Sequence, residues 1–197
     1  MAPSPLILAS GSKVRATLLR NAGLEFGVQD SRVDEDAVKN KFAGSDTDAL
    51  ALKLAEEKAL TVSRTEPATL VIGADQILSC DGARFDKPRD MAEARANLQR
   101  FRARAHILHS GLALALGGEI VWRHVDQAHL TMRDFSDDFL DRYLATLGEK
   151  VRSSVGCYQL EGPGIQLFER IEGDYFTILG LPLLPLLAEL RRREVLR

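Results

Sequence analysis

The chain has 197 residues, enough for one large domain or two small lobes around a substantial core. Its 26 basic and 28 acidic side chains give a formal charge of −2, so the composition does not favour non-specific nucleic-acid binding, and any phosphate site must be local. No apolar run is long enough to span a bilayer, the first residues lack a signal-peptide pattern, and two cysteines without a CxxC motif predict reduced thiols in a cytoplasmic protein.

The first predicted elements form a strand, a small polar turn and a helix. The apolar run Leu6–Ala9 is followed by Ser10-Gly11-Ser12 and then by Lys13–Ala22, which is helical by residue choice. Such a junction favours an anion, because backbone N–H groups and the positive end of a helix meet there. Two serine hydroxyls and Arg15 would add donors for phosphate oxygens. The alternative is that Ser12 is only a helix N-cap and Arg15 lies in solvent.

An acidic segment and a strong helix come next. Phe26–Lys39 is predicted as a strand followed by an acidic loop at Val33–Asp36. Such loops are usually solvated, and the sharper alternative is that one carboxylate turns inward to hold a divalent cation with Asp75. On the predicted helix Ala49–Val62, Lys58 continues an apolar stripe. That lysine either reaches back to water, the commoner outcome, or is drawn inward by an anion.

The segment Leu70–Pro88 places a carboxylate between apolar runs. Gly73–Gln76, which contains Asp75, interrupts one apolar run before a second begins. A carboxylate between buried strands is costly unless it is paired. The tight-turn signal Asp81-Gly82 predicts a hairpin that brings Lys87 back toward Asp75. The alternative is that Asp75 caps the strand end and Lys87 is solvated.

The rest of the chain alternates between helices and strands. The predicted elements are a helix from Asp90 to about Arg102, strands Ala105–Leu116 and Glu119–Thr131, a helix Asp137–Leu147, strands Ile165–Ile171 and Tyr175–Leu179, and a closing helix Leu181–Arg193. The histidine spacings do not suit a zinc site. This alternation predicts an α/β fold with some antiparallel pairing.

Taken together, these segments resemble the Maf family of nucleotide pyrophosphatases over nearly the whole chain. The matching blocks are Leu8-Ala9-Ser10-Gly11-Ser12 with Arg15, Val33-Asp34-Glu35, residues 54–59, Gly73-Ala74-Asp75-Gln76 with Lys87-Pro88, Leu160-Glu161-Gly162, residues 168–175 and Leu179-Gly180-Leu181-Pro182. The resemblance implies a mixed, curved sheet flanked by helices. It also implies a single domain over residues 1–197, with two lobes around a central cleft, usually as a homodimer.

The resemblance further implies an activity and a set of site residues. The reaction is hydrolysis of a nucleoside triphosphate to a monophosphate and pyrophosphate, assisted by a divalent cation, Mg²⁺ or Mn²⁺. The residues implied to bind phosphate are Ser10, Ser12, Arg15, Lys58 and Lys87. Glu35 and Asp75 are implied to hold the metal, with Asp75 also acting as the general base.

Three positions resemble the substrate code of the family. Gln76 and Glu161 match the branch that acts on 7-methyl-GTP, where the thymidine and uridine triphosphate branch has Thr and Gln. Val14 matches neither the Arg of that second branch nor the Trp frequent in the first. Guanine presents two adjacent N–H donors to a carboxylate and a neighbouring carbonyl to an amide N–H, and methylation at N7 adds positive charge. We therefore predict that purine or N7-methylated guanine nucleotides are preferred over UTP and TTP.

Two alternatives stay open. One is a dTTP/UTP pyrophosphatase of the same family, and the other is a non-catalytic, nucleotide-binding regulator of septum formation or cell division. The cluster of charged residues argues against a pure regulator, because such a cluster destabilises a fold that does not use it.

Overall fold

A mixed β-sheet connects the elements of this chain. The structure is a computed structural model, which describes residues 6–42, 44 and 46–196. Within those ranges the strands are β1 (Leu6–Leu8), β2 (Gly27–Val28), β3 (Leu70–Cys80), β4 (Ala83–Phe85), β5 (Ala105–Leu116), β6 (Glu119–Met132) and β7 (Phe168–Glu172). Their hydrogen-bonded order is β2-β1-β3-β5-β6-β7, and β4 pairs with β3. β1 is parallel to β2 and β3, whereas β3–β4 and β6–β7 are antiparallel, so the predicted mixed α/β sheet is confirmed.

Six of the seven α-helices in the described part of the chain begin at a side chain that caps them, and the last helix, which follows Pro182, does not. They are α1 (Lys13–Asn21), α2 (Glu35–Lys41), α3 (Thr47–Ser63), α4 (Met91–Phe101), α5 (Asp137–Leu147), α6 (Tyr175–Ile178) and α7 (Leu183–Arg192). Side chains that accept a hydrogen bond from the first turn are Ser12, Asp34, Asp46, Asp90, Ser136 and Asp174. The predicted helices after residues 12, 48, 90, 136 and 180 are confirmed within a few residues.

Three predictions in the first half of the chain were wrong. The predicted strand from Phe26 is reduced to β2. Only the first half of the predicted acidic loop is a loop, because the Asp34 side chain accepts from Ala37 N–H at 3.0 Å and starts α2 at Glu35. β3 is also not interrupted at Gly73–Gln76. It continues through Asp75, whose charge is met by a lysine from α3.

Two predictions near the C-terminus were also wrong. Tyr175–Leu179 is not a strand, because Asp174 caps the backbone of Phe176 and Thr177 and starts the short helix α6. The predicted strand from Ile165 begins only at Phe168, after a 3₁₀ helix at Pro163–Leu167.

The described residues divide into two compact units. The first comprises the described parts of Met1–Gln76, His109–Asp126 and Asp174–Arg197, and the second comprises Ile77–Leu108 and Gln127–Gly173. In the first unit, α1 and α7 pack apolar side chains against β1, β3 and β5. The second unit has buried side chains from α4, α5 and β6. The predicted cleft between two lobes stays a prediction.

Helix α3 lies unusually close to the sheet. A Cβ atom at Gly73 would be 2.1 Å from the Ala55 carbonyl oxygen, and one at Gly111 would be 2.3 Å from that of Ala51. Glycine is therefore required at both positions for the helix backbone to touch β3 and β5. This close approach brings Lys58, on the same helix, to the side chain of Asp75.

Candidate active site

The turn between β1 and α1 is organised by its own side chains. The Ser12 hydroxyl accepts from Arg15 N–H at 3.4 Å, and the Ser10 hydroxyl accepts from Ser12 N–H at 3.2 Å. Ser10 is buried, while Gly11 between the two serines is exposed. The turn stands at the N-terminus of a nine-residue helix, where the helix dipole favours negative charge.

Arg15 is held by the protein rather than by solvent. Its Nε donates to the Gly180 carbonyl at 2.7 Å, and its Nη1 donates to the Ala74 carbonyl at 2.8 Å and to Ser10 Oγ at 3.2 Å. Burial lowers the pKa of the Arg15 guanidinium, although the negative charges of Asp75 and Glu35 act in the opposite direction. The third guanidinium nitrogen, Nη2, donates no hydrogen bond to the described residues, so its N–H groups are available to a ligand.

A lysine joins two carboxylates beside this arginine. Lys58 Nζ lies 2.5 Å from Asp75 Oδ1 and 2.7 Å from Glu35 Oε1. Lys58 and Asp75 are both buried, whereas the Glu35 side chain is 42% exposed. Three elements therefore contribute to the cluster, since α3 carries Lys58, β3 carries Asp75 and α2 begins at Glu35.

Asp75 is an acid whose pKa is perturbed by its surroundings. Burial raises the pKa of Asp75 above its ordinary value, and the positive charges of Lys58 and Arg15 only partly oppose this effect. Burial at this position therefore favours the neutral carboxylic acid over the ionised carboxylate. Strongly perturbed acids of this kind concentrate at functional sites.

The two carboxylates suit a hard divalent cation. Mg²⁺ is usually held by one or two carboxylates together with substrate phosphates and water. Glu35 and Asp75 supply such a pair, since both contact the same ammonium group. Within the described ranges, no group of three or more His, Cys, Asp and Glu side chains is arranged to hold a metal.

Gln76 is fixed by the backbone of the segment around α6. Its Nε2 lies 2.9 Å from the Thr177 carbonyl, 3.2 Å from the Ile178 carbonyl and 3.0 Å from Ser110 Oγ. Because carbonyls only accept, the nitrogen must face them, and its two hydrogens are already used. The predicted contact between this amide N–H and a base carbonyl therefore lacks a donor. The Oε1 oxygen is the atom of Gln76 that the described residues leave for a ligand.

The other predicted site residues lie in different surroundings. Val14 is partly buried and, like Phe176, packs against the apolar cluster of the first unit. Lys87 and Glu161 belong to the second unit, and both are exposed. The structure thus brings together Ser10, Ser12, Arg15, Glu35, Lys58, Asp75 and Gln76 within the first unit. The roles of Lys87 and Glu161 stay predictions.

Several contacts of the site could not be read from the sequence. The carbonyls of Ala74 and Gly180 orient Arg15, and backbone acceptors leave no residue-type signal. Ser110 and Thr177 hold Gln76, but they lie 34 and 101 residues away from it in the chain. The Asp174 cap was the available signal for the segment that carries Thr177, and the strand prediction overlooked it.

The fold and the site define an α/β protein whose paired charges and helix N-terminus suit a phosphorylated ligand. The family model described as Maf-like protein matches residues 5–193. The chain belongs to the Maf-like protein family.

Three relatives show how extensive this similarity is. A 7-methyl-GTP pyrophosphatase of Brucella suis is 52% identical over 191 residues, covering 96% of each chain. A nucleoside triphosphate pyrophosphatase of Granulibacter bethesdensis is 52% identical over 193 residues, covering 97% of this chain and 98% of the relative. A 7-methyl-GTP pyrophosphatase of Rhizobium meliloti is 53% identical over 188 residues, covering 94% of each.

Proposed function

We propose that this nucleotide pyrophosphatase of the Maf-like family cleaves nucleoside triphosphates between the α and β phosphates, releasing a monophosphate and pyrophosphate. The observation that carries the proposal is the buried Asp75 carboxylate between the cations Lys58 and Arg15, beside the first helix N-terminus. A triphosphate brings about four negative charges, each costly in a partly dry site unless it is paired. A helix end, the buried Lys58, the partly buried Arg15 and a metal ion are a proportionate set of partners.

The phosphate chain is proposed to bind at the Ser10–Ser12 turn. Arg15 Nη2 is aimed by the three hydrogen bonds that fix its other nitrogens, so the guanidinium does not have to be ordered when the ligand binds. Hydrogen bonds from a guanidinium to phosphate oxygens are among the stronger ones in proteins. Lys87 is proposed as a further phosphate ligand.

Lys58 and the metal ion are proposed to compete for the two carboxylates, Glu35 and Asp75. Glu35 and Asp75 would hold Mg²⁺ or Mn²⁺, and the bound cation would neutralise phosphate charge and lower the pKa of a coordinated water. The ammonium group of Lys58 contacts the same oxygens. A cation at these carboxylates would therefore compete with Lys58 and leave its ammonium for a phosphate oxygen.

Asp75 is proposed as the general base. Its raised pKa makes it a better proton acceptor than an ordinary aspartate, because base strength follows pKa. Its position in the interior of β3 fixes the carboxylate against a rigid backbone. The base is thus held in one geometry while it takes the proton of the attacking water.

The preferred base is proposed to be guanine, with 7-methyl-GTP-like substrates favoured. Relatives named 7-methyl-GTP pyrophosphatase support this choice at 52–53% identity. With the nitrogen of Gln76 occupied, Oε1 presents an acceptor, and Glu161 is proposed to present another. Guanine offers more N–H donors to acceptors than uracil or thymine does.

The proposal also includes the predicted setting of the enzyme. Cys80 and Cys157 are both buried free thiols, which agrees with the predicted cytoplasmic location. No helix in the described part of the chain has the length and apolarity to cross a membrane. A homodimer is proposed from the family resemblance alone.

One assay tests the class and the substrate together. The purified protein is incubated with 7-methyl-GTP, GTP, ATP, UTP and TTP in Mg²⁺ or Mn²⁺, and pyrophosphate is separated from orthophosphate. We expect pyrophosphate and a monophosphate, with 7-methyl-GTP hydrolysed fastest. Faster hydrolysis of UTP or TTP would reject the guanine proposal but leave the class intact. Nucleotide binding without turnover under all conditions would favour the non-catalytic regulator.

A further inference from the structure

The short helix α6 is held in place by side chains from three strands. Four residues are too few for a stable helix in isolation. The Thr177 hydroxyl donates to Asp126 Oδ2 on β6 at 2.7 Å. The Thr177 carbonyl accepts from Ser110 Oγ on β5 at 2.9 Å and from Gln76 Nε2 on β3 at 2.9 Å. Thr177 is fully buried, so these hydrogen bonds take the place of solvent contacts.

This helix sets the position of Gly180. Gly180 N–H donates to the Thr177 carbonyl at 3.0 Å, which closes the chain directly after α6. Gly180 has a φ of +84°, and a Cβ atom there would lie 3.3 Å from Arg15 Nη2. The Gly180 carbonyl then accepts from Arg15 Nε at 2.7 Å. A shift of Thr177 is therefore transmitted through a fixed turn to the guanidinium of Arg15.

We propose that Thr177 and Asp126 are positioning residues for Arg15. Together with Ser110 and Gln76 they form what we call the Thr177 latch, which holds the Gly180 carbonyl where it directs Arg15 Nη2 toward the phosphates. The latch rests on the proposed function for its substrate, because Arg15 is the phosphate ligand in that proposal. Neither Thr177 nor Asp126 is assigned a contact with substrate.

A purely architectural role for this pair predicts a different result. Loss of the hydroxyl would then lower stability and the fraction of active protein, so kcat would fall while KM stayed constant. If the latch positions Arg15 for phosphate binding, KM should instead rise while kcat changes little, because a misaligned Arg15 weakens substrate binding. The latch also predicts a change at Arg15 Nε itself, which can be observed without any substrate.

The test compares Thr177→Val with Thr177→Ser. Valine keeps the shape of threonine without the hydroxyl, whereas serine restores the donor to Asp126. We expect Thr177→Val to raise KM about tenfold with kcat within about threefold, as loss of one buried hydrogen bond implies. Thr177→Ser is expected to stay near wild type. Thr65→Val is the control for the same substitution at another place in the first unit, where the exposed Thr65 donates its hydroxyl to the Val62 carbonyl at 2.8 Å and has no contact with the latch.

Nitrogen-15 NMR of the arginine Nε–H groups gives the readout that does not depend on turnover. The Arg15 signal, assigned by its loss in Arg15→Lys, should exchange slowly in wild type because Gly180 accepts from it. In Thr177→Val we expect exchange to accelerate about tenfold, and Thr65→Val should leave it unchanged. Asp126→Ala, at a half-buried position, provides the same test if Thr177→Val does not fold.

The outcomes separate the latch from the proposed function. An unchanged Arg15 signal in both latch variants, or a fall in kcat alone, would overturn the latch while wild-type turnover still supported the function. Absence of pyrophosphatase activity in the wild-type protein would contradict the proposed function. The NMR comparison would still decide whether Thr177 positions Arg15.

Discussion

Acidic pH should destabilise the fold through one buried histidine of the second unit. His106 on β5 is 1% exposed and stacks on the Phe101 ring with a centroid distance of 5.3 Å. Its Nε2 lies 2.8 Å from the Tyr158 hydroxyl, and its buried Nδ1 has no hydrogen-bond partner among the described residues. Burial lowers the pKa of His106 to about 4.

The size and sign of the effect follow from these two pKa values. A histidine in the unfolded chain has a pKa near 6.5, whereas the pKa of His106 in the folded protein is about 4. Between these two pH values the unfolded state binds a proton that the folded state does not bind. Stability is therefore lost as the pH falls from about 6.5 to about 4, and this loss levels off below. At 1.36 kcal/mol per pH unit, His106 alone costs about 3 kcal/mol across that window.

Urea unfolding followed by circular dichroism between pH 7 and pH 4 measures this cost. His106→Phe and His106→Gln remove the titrating group, and other acid-sensitive groups cancel when each variant is compared with wild type. We expect the free energy of unfolding of wild type to fall about 3 kcal/mol further than that of either variant. A difference that does not change with pH would refute this account of His106.

Three further predictions concern the site and its support. Asp75→Asn should reduce pyrophosphate release by on the order of a hundredfold or more, and calorimetry should show no loss of thermal stability because burial disfavours the charge it removes. Retained turnover would reject Asp75 as the base. In the metal-free protein, the raised pKa of Asp75 should place the titration of its carboxyl above the ordinary aspartate range, which carbon-13 NMR of the carboxyl group measures; a titration within that range would contradict the desolvation argument. Gly73→Ala should destabilise the protein by about 1–3 kcal/mol in chemical unfolding and lower activity, because its Cβ would strike the Ala55 carbonyl, whereas Gly27→Ala meets only Ile7 at an ordinary 3.6 Å and should be nearly neutral.

Local signals in the sequence were sufficient for the first part of the site. The Ser10-Gly11-Ser12 turn and the helix after it follow from short-range rules of residue choice and capping, and both are present in the structure. The sequence allowed two outcomes for Lys58, and pairing with an acid was only one of them. It depends on how closely α3 packs against Gly73, a tertiary contact that a helical pattern does not contain.

The wrong predictions have two physical causes. An apolar run broken by a charge was taken as two strands, yet β3 continues because Lys58 compensates Asp75 inside the fold. That partner is distant in the chain, so single-segment rules could not include it. Tyr175–Leu179 has the residue types of a strand, but the local Asp174 cap starts a helix there and hydrogen bonds with distant side chains hold it. The cap was a local signal, whereas the distant hydrogen bonds were not.

Hydrolysis in ¹⁸O-labelled water tests most directly whether the water attacks the α phosphorus beside Asp75. The protein is supplied with 7-methyl-GTP and a divalent cation, and the products are analysed by mass spectrometry. The account predicts one labelled oxygen in the nucleoside monophosphate and none in the pyrophosphate. Label in the pyrophosphate, or release of orthophosphate in its place, would contradict it.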